Sequence, residues 1–524
     1  MKSKRTTKKD LSRRDFIKTT AVGVGATALA GLGSKEAKAQ DMPFIENWDK
    51  EADVVVLGYG GAGAVAAMAA ADAGVQVLIL EKMSKGGGTT RVSGGGFMTP
   101  TNVDDAITYY DALRQGSTTS HEMIEVLVRE AAKNFDYVKA LGGQYVDYGG
   151  AQFPAFPGAA AVRKYHIIGP SRDAENLWQM LDAGVKARAI EVMYDSPAKE
   201  LVTNSNREVI GVIAESKGRK VAVKAKRAVI LTTGGYEFNE AMLQDFVISR
   251  PYLTTASPGN TGDGISMAQK VGAALWHMTM PLGPYLGFAY PDLKGSYLSL
   301  GVPTRGYIVV DKYSQRVINE VNSGAHSMLW AKGIQTFSED SKGLVEFPAI
   351  PAYVVFDEVS RARGPVIATG SGYAAINLYT WSKDNTAEIA KGWIVKGDTL
   401  EELATKSGLD PSALVATVNK YNGYCADKND PDFGRSSATL VPITTPPYYT
   451  MKVWPGNLCT EGGPKRNPKA QVVDPWDNPI PRLYSAGELG SIAGFLYQGA
   501  NDIGGECMAF GRIAGRNAAA EAPW

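Results

Sequence analysis

Three glycines and one acid have the types and spacing that bind a dinucleotide. The run Gly58-Tyr59-Gly60-Gly61-Ala62-Gly63 satisfies G-x-G-x-x-G, and Glu81 stands downstream where such sites carry a ribose-binding carboxylate. Each position has its own physical task. Gly58 permits a tight turn, Gly60 lets the backbone approach a pyrophosphate at a helix N-terminus, Gly63 allows close packing of helix on strand, and Glu81 accepts from ribose hydroxyls. Gly61 and Ala62 complete the turn, and Lys82 follows the acid. A second glycine-rich loop comes next, Gly86-Gly87-Gly88-Thr89-Thr90-Arg91-Val92-Ser93-Gly94-Gly95-Gly96. Such a loop can wrap the phosphates and ring of a larger cofactor, with Thr89, Thr90, Gly95 and Gly96 as candidate contacts.

The elements that must position these residues are legible around them. Asp53-Val54-Val55-Val56-Leu57 is a continuous β-branched and apolar run, the mark of a buried parallel strand. Ala64 to Ala73 predicts a helix ending at Gly74, and Val75 to Leu80 a second strand delivering Glu81. This βαβ unit suits NAD and FAD alike.

Further segments narrow the choice. Ala228-Val229-Ile230-Leu231-Thr232-Thr233-Gly234-Gly235, Thr261-Gly262-Asp263-Gly264, Leu483-Tyr484-Ser485-Ala486-Gly487-Glu488, Gly499-Ala500-Asn501-Asp502-Ile503-Gly504-Gly505 and Phe510-Gly511-Arg512-Ile513-Ala514-Gly515 together span most of the chain. With the two glycine loops, they resemble the fumarate reductase and 3-ketosteroid dehydrogenase flavoproteins. The resemblance implies an α/β fold, a Rossmann-like FAD-binding domain (47–283 and 446–524) interrupted by an α+β capping domain (284–445). Pro281 to Pro284 and Thr444-Thr445-Pro446-Pro447 punctuate both crossings. Within the first part, 193–227 reads as a small antiparallel insertion; in the cap, Ile308-Val309-Val310 reads as a strand and Thr399 to Lys406 as a helix. The resemblance also implies that Ala198, Thr233, Gly234, Asp263 and Asn501 contact FAD, that Glu488 holds the ribityl chain, and that backbone near Cys507 and Met508 faces the isoalloxazine. No His stands in the loop 86–96 where some relatives attach FAD, so non-covalent FAD is expected.

The family's dicarboxylate-gripping residues are missing. Pro284 and Leu458 stand in the two His positions, Asp502 replaces an Arg, and Gly324 occupies the position of the proton-delivering Arg. An acid in place of Arg repels a dicarboxylate. Tyr497-Gln498-Gly499-Ala500-Asn501 resembles the Tyr-Pro-Gly-Ala-Gly of the ketosteroid enzymes, which makes Tyr497 the candidate to polarise a substrate carbonyl. His326, two residues beyond Gly324, is the candidate proton donor, with Tyr285, Tyr307 and Arg305 as further candidates at the start of the cap. His121, His166 and His277 show no ligand spacing, and no metal is expected.

Composition sets the boundaries. Lys+Arg of 55 against Asp+Glu of 54 leaves a net charge of +1, no footprint for nucleic acid. Cys425, Cys459 and Cys507 form no CxxC, so neither an iron–sulfur cluster nor a c-type haem is encoded, and their odd number argues against a disulfide framework. Electrons must therefore pass through another molecule, a separate donor such as a cytochrome or quinol-linked protein. Ser12-Arg13-Arg14-Asp15-Phe16-Ile17-Lys18, the apolar run Ala21 to Leu32 and Ala37-Lys38-Ala39 make residues 1–39 a twin-arginine signal peptide, hence a periplasmic or extracytoplasmic location. The run is too short to span a bilayer. The function expected from all this is reduction of a polarised C=C bond by FADH2, on an apolar or aromatic enone or enoate. The alternatives are a ketosteroid-type dehydrogenase and a degenerate flavoprotein that carries electrons or binds a partner.

Overall fold

The computed structural model describes residues 45, 47–247, 251–283, 285–321, 336–337, 345–492 and 496–524, with backbone alone at 285, 336–337 and 345–346. Strand Lys50–Leu57 lies at the middle of an eight-stranded sheet. It pairs in parallel with Val77–Leu80 on one side and Arg219–Leu231 on the other. Glu191–Met193 and Pro479–Ser485 extend the parallel array outward, and Gln471–Val473 closes one edge antiparallel. Val54, Val55, Val56 and Leu57 are all fully buried, because helices or strands cover both faces. Helix Gly61–Asp72 and the C-terminal helix Phe510–Ala520 pack together on one face. Their contact needs small residues: a Cβ on Gly515 would stand 2.3 Å from the Ala66 carbonyl oxygen.

One expectation changes in detail, and the antiparallel insertion is found as expected. The second strand begins at Val77 and not at Val75, because Gly74 adopts φ 85° and the Gln76 N–H is held by the Asp53 carboxylate at 2.9 Å. The antiparallel insertion is continuous with the main sheet. Strands Ala198–Thr203 and Val209–Ser216 pair with each other, but their third partner, Arg219–Leu231, continues into the central array.

The intervening chain builds a seven-stranded sheet, mostly antiparallel, around Tyr448–Asn457, which carries Ala352–Asp357 and Tyr285–Ala289 as neighbours. Period-two alternation assigns its faces. Ile308, Val310, Tyr353 and Val355 pack on helices Leu400–Ser407 and Pro411–Asp427, whereas Val309, Val354 and Phe356 join Phe288 and Trp381 on the other side. Those helices start where capping predicts: Thr399 accepts the Glu402 N–H, and Asp410 accepts the Ala413 N–H ahead of Pro411. The unit Asn47–Trp524 holds both sheets.

Candidate active site

At the end of the central strand the chain turns through Gly58 at φ 100°, a conformation glycine adopts without strain; a Cβ there would also meet the Thr232 carbonyl oxygen at 2.4 Å. Gly63 is equally constrained, since its Cβ would stand 2.0 Å from the Gly58 oxygen. Gly60 differs. The nearest atom to a Cβ there is the Gly87 oxygen at 3.9 Å, so a side chain would project into the open cleft. The helix beginning at Gly61 has no side-chain cap, and its N-terminal dipole faces the same space.

That space is an open cleft of about 810 Å³. Its wall contains Gly58, Gly60, Gly61, Ala62, Glu81, Lys82, Thr89, Thr90, Ala198, Thr233, Gly234, Asp263, Glu488 and Cys507, each anticipated from the sequence. Tyr59, Met83, Ser257 and Asn260 also line it and were not anticipated: Tyr59 is a variable position of the glycine motif, and the other three fall in loops without one. Glu81 is doubly tied: its carboxylate accepts the Tyr59 N–H and the Met83 N–H, each at 2.7 Å, while burial pushes its pKa upward against these backbone bonds. Lys82 reaches across to Asp263 at 2.7 Å and Thr261 at 2.6 Å. The Thr233 hydroxyl is buried without a partner. A glycine cradle, an uncapped helix N-terminus, a ribose-side acid and an unpartnered hydroxyl fit FAD.

Glu81→Ala is expected to weaken FAD retention, because it removes the ribose acceptor and strips two backbone N–H groups of their partner, each worth about 1–3 kcal/mol when buried. Fluorescence of released FAD on dilution measures this, and unchanged retention contradicts the role.

Five anticipated cofactor residues stand off the wall. Gly63 serves helix packing, and Met508 is fully buried in the core. Gly95 packs on Asp173 and Ala174, and Gly96 lies under the His166 ring, where a Cβ would come within 3.0 Å. Asn501 turns into a smaller neighbouring cavity of about 300 Å³ with Tyr110, Arg114 and Tyr497. Cys507 reaches the cleft beside the helix N-terminus, next to Gly61.

Beyond Glu488 the cleft is backed by an unusual concentration of acid. Glu237, Glu461, Glu488, Asp502 and Glu506 are packed around Cys459 and Arg466. Burial first, then the neighbouring carboxylates, push Glu461 and Glu488 well above the usual range and Asp502 up to about 7. Arg466 is paired with Glu506, both fully buried. Asp502 opens a π-helical stretch, Asp502–Ala509, a geometry frequent at functional sites. Tyr497 joins this cluster: its hydroxyl oxygen accepts the Asp502 backbone N–H at 2.9 Å. Leu282, Leu458 and Cys459 pack on its ring.

The remaining candidates separate. His326, with Gly324, lies outside the described residues, as does Pro284; Tyr285 begins a strand, and its side chain is not described. Tyr307 is committed elsewhere: its hydroxyl donates to the Glu320 carbonyl at 3.1 Å, inside a buried network of Arg316, Glu320, Asp430 and Arg435. Arg305 is exposed and contributes its carbonyl to Arg435. His277 is buried against Trp276 with Nδ1 on the Ser491 carbonyl, and His166 bonds Asp173 at 2.7 Å.

The sequence profile of the FAD binding domain family matches residues 53–508. The chain belongs to this family of FAD-dependent oxidoreductases. A twin-arginine translocation signal profile matches residues 10–30, so the flavoprotein is exported by that route to the periplasm. Among described residues, no helix is long and apolar enough to cross a membrane. The flavoprotein is 30% identical to a urocanate reductase of Eggerthella lenta, over 97% of this chain and 81% of that protein. It is 28% identical to a probable fumarate reductase of Shewanella frigidimarina, over 90% and 75%. In structure it resembles a 3-ketosteroid delta1-dehydrogenase from Sterolibacterium denitrificans, with a TM-score of 0.75 at 25% identity over 90% of this chain and all of that one. It also resembles a flavocytochrome c3 fumarate reductase, with a TM-score of 0.69 at 25% identity over 99% and 82%.

Proposed function

We propose that this flavoprotein reduces a polarised C=C bond in a neutral or singly charged, apolar or aromatic enone or enoate. The observation that carries the reading is the makeup of the Tyr497 neighbourhood: Leu282, Leu458 and Cys459 against the ring, with Glu461 and Asp502 as the acidic neighbours. Such a surface accepts apolar matter and gives a dianion no compensating charge. Bound FAD supplies hydride chemistry at this site. The chain's own residues do the rest. Glycines 58 and 60 let the backbone seat the pyrophosphate, Gly63 packs the helix behind them, Glu81 orients the ribose, Glu488 faces the ribityl chain, and the Tyr497 hydroxyl polarises the substrate carbonyl as charge develops on its oxygen. Segment 284–445 caps the cleft, and a separate redox protein such as a cytochrome delivers electrons. The names of the relatives, which include fumarate and urocanate reductases, support C=C chemistry. The likeness to a ketosteroid dehydrogenase supports a second reading, in which the same site removes hydrogen from a steroid-like ketone.

Turnover with a reduced viologen dye tests the proposal. Fumarate is expected to be inert, and 4-phenylbut-3-en-2-one or a cinnamate to be reduced, because the described residues packed on the Tyr497 ring include no cation to offset desolvation of two carboxylates. Efficient fumarate turnover overturns the assignment.

A further inference from the structure

No spacing in the sequence marks Cys459, Glu461 and Asp502 as a set; the fold assembles them. The short strand Cys459–Thr460 is pinned by pairing with Pro281–Leu282, and Asp502 is brought in by the opening turn of the π-helical stretch. Cys459 Sγ lies 3.4 Å from Glu461 Oε1 and 3.4 Å from Asp502 Oδ2. One ligand atom from each residue lies within 4.8 Å of the others. The residues are 1%, 2% and 8% exposed, so water does not wash the group. A thiol has one proton and can donate to one of the two carboxylates at a time. Beyond that, Glu461 Oε2 and Asp502 Oδ1 are buried with no partner at all. The guanidinium lying against the cluster, Arg466, is taken by Glu506.

Three side chains that ligate as anions, two with dry oxygens, and no cation between them describe a metal site better than a hydrogen-bond network. With metal–sulfur and metal–oxygen bonds of about 2.3 and 2.0–2.2 Å, the edge of a tetrahedral site is about 3.5 Å, close to both sulfur–oxygen separations. The mixed thiolate and carboxylate set favours a borderline-soft divalent ion over calcium or magnesium, which take oxygen donors alone.

We propose that Cys459, Glu461 and Asp502 hold one divalent cation of the zinc class. Three protein ligands leave a fourth position, as in sites that bind water or a carbonyl oxygen. Because two positive charges meet three negative ligands, the loaded site still disfavours a dianion. The proposal stands on this donor set and does not rest on the reaction assigned above.

Metal analysis decides it. The FAD-bound protein is dialysed against metal-free buffer, its metal content measured by mass spectrometry, and the metal-poor fraction titrated with Co2+. One zinc-class ion per chain, or uptake of one Co2+ with the absorption of a sulfur-ligated tetrahedral ion, is the expected result. Cys459→Ala should bring occupancy to background with FAD content unchanged, whereas Cys425→Ala should leave occupancy intact. Absence of both resident metal and Co2+ uptake overturns the proposal, as does full occupancy in Cys459→Ala. If Cys459→Ala fails to fold, the Co2+ spectrum of the unaltered protein decides alone: sulfur ligation supports the site, and its absence refutes it.

Discussion

Arg466→Met is expected to destabilise the FAD-bound protein by about 3–5 kcal/mol, the cost of leaving a buried charge without its partner. Arg466 and Glu506 are both 0% exposed, and the guanidinium lies over the Phe510 ring at 4.6 Å. Arg466 also donates to the carbonyls of Gly487 and Leu489, at 3.4 and 3.2 Å, next to the cleft wall at Glu488. Glu506 in turn accepts from Ser491 Oγ and the Ile492 N–H, both at 2.9 Å. Removing the cation therefore strands a carboxylate among four other acids and frees the loop that carries Glu488. Met retains much of the volume, so the loss isolates charge from packing. Denaturant unfolding of the holoprotein measures it. The double change Arg466→Met with Glu506→Gln should recover much of the loss, because no unpaired charge then remains. A loss below about 1 kcal/mol for the single variant, typical of an exposed pair, contradicts the account.

Tyr497→Phe should lower kcat by about 10²–10³, roughly 3–4 kcal/mol, with FAD content unchanged. The substitution preserves the ring packed on Leu282 and Cys459 and removes only the hydroxyl. That hydroxyl is preorganised: the Asp502 backbone N–H fixes its oxygen at 2.9 Å and leaves its single proton to be donated. A donor already oriented needs no reorganisation as the substrate oxygen gains charge. Near-normal turnover in Tyr497→Phe would remove the hydroxyl from the chemistry and return attention to Tyr285 and His326. Loss of FAD would make Tyr497 a structural residue.

Much of the cofactor site was legible because its demands are local. Gly58, Gly60 and Gly63 are dictated by a turn, a close approach and a packing contact within six residues, and the cleft wall places Glu81, Thr89 and Thr90 as their spacing suggested. Glu488 and Cys507 came only through resemblance, since nothing near them in sequence tells of the cleft. The acid cluster was not legible. Glu237, Glu461 and Glu506 lie far apart in the chain, so no spacing marks them as a set or distinguishes them from surface acids. Tyr307 shows the opposite failure: its place at the start of the cap suggested catalysis, but its hydroxyl is consumed by the Glu320 carbonyl. Asn501 matched a motif in type, yet the turn at Ala500, with φ 70°, directs it to a neighbouring cavity.

The most direct test of the central claim is a single turnover under anaerobic conditions. The FAD-loaded protein is reduced stoichiometrically and mixed with 4-phenylbut-3-en-2-one, with a cinnamate, with a steroid enone or with fumarate. The account predicts return of the oxidised flavin spectrum with at least one of the first three, matched by one equivalent of saturated product, and no change with fumarate. Flavin that stays reduced with every enone and enoate would contradict it, and would mark the protein as an electron carrier.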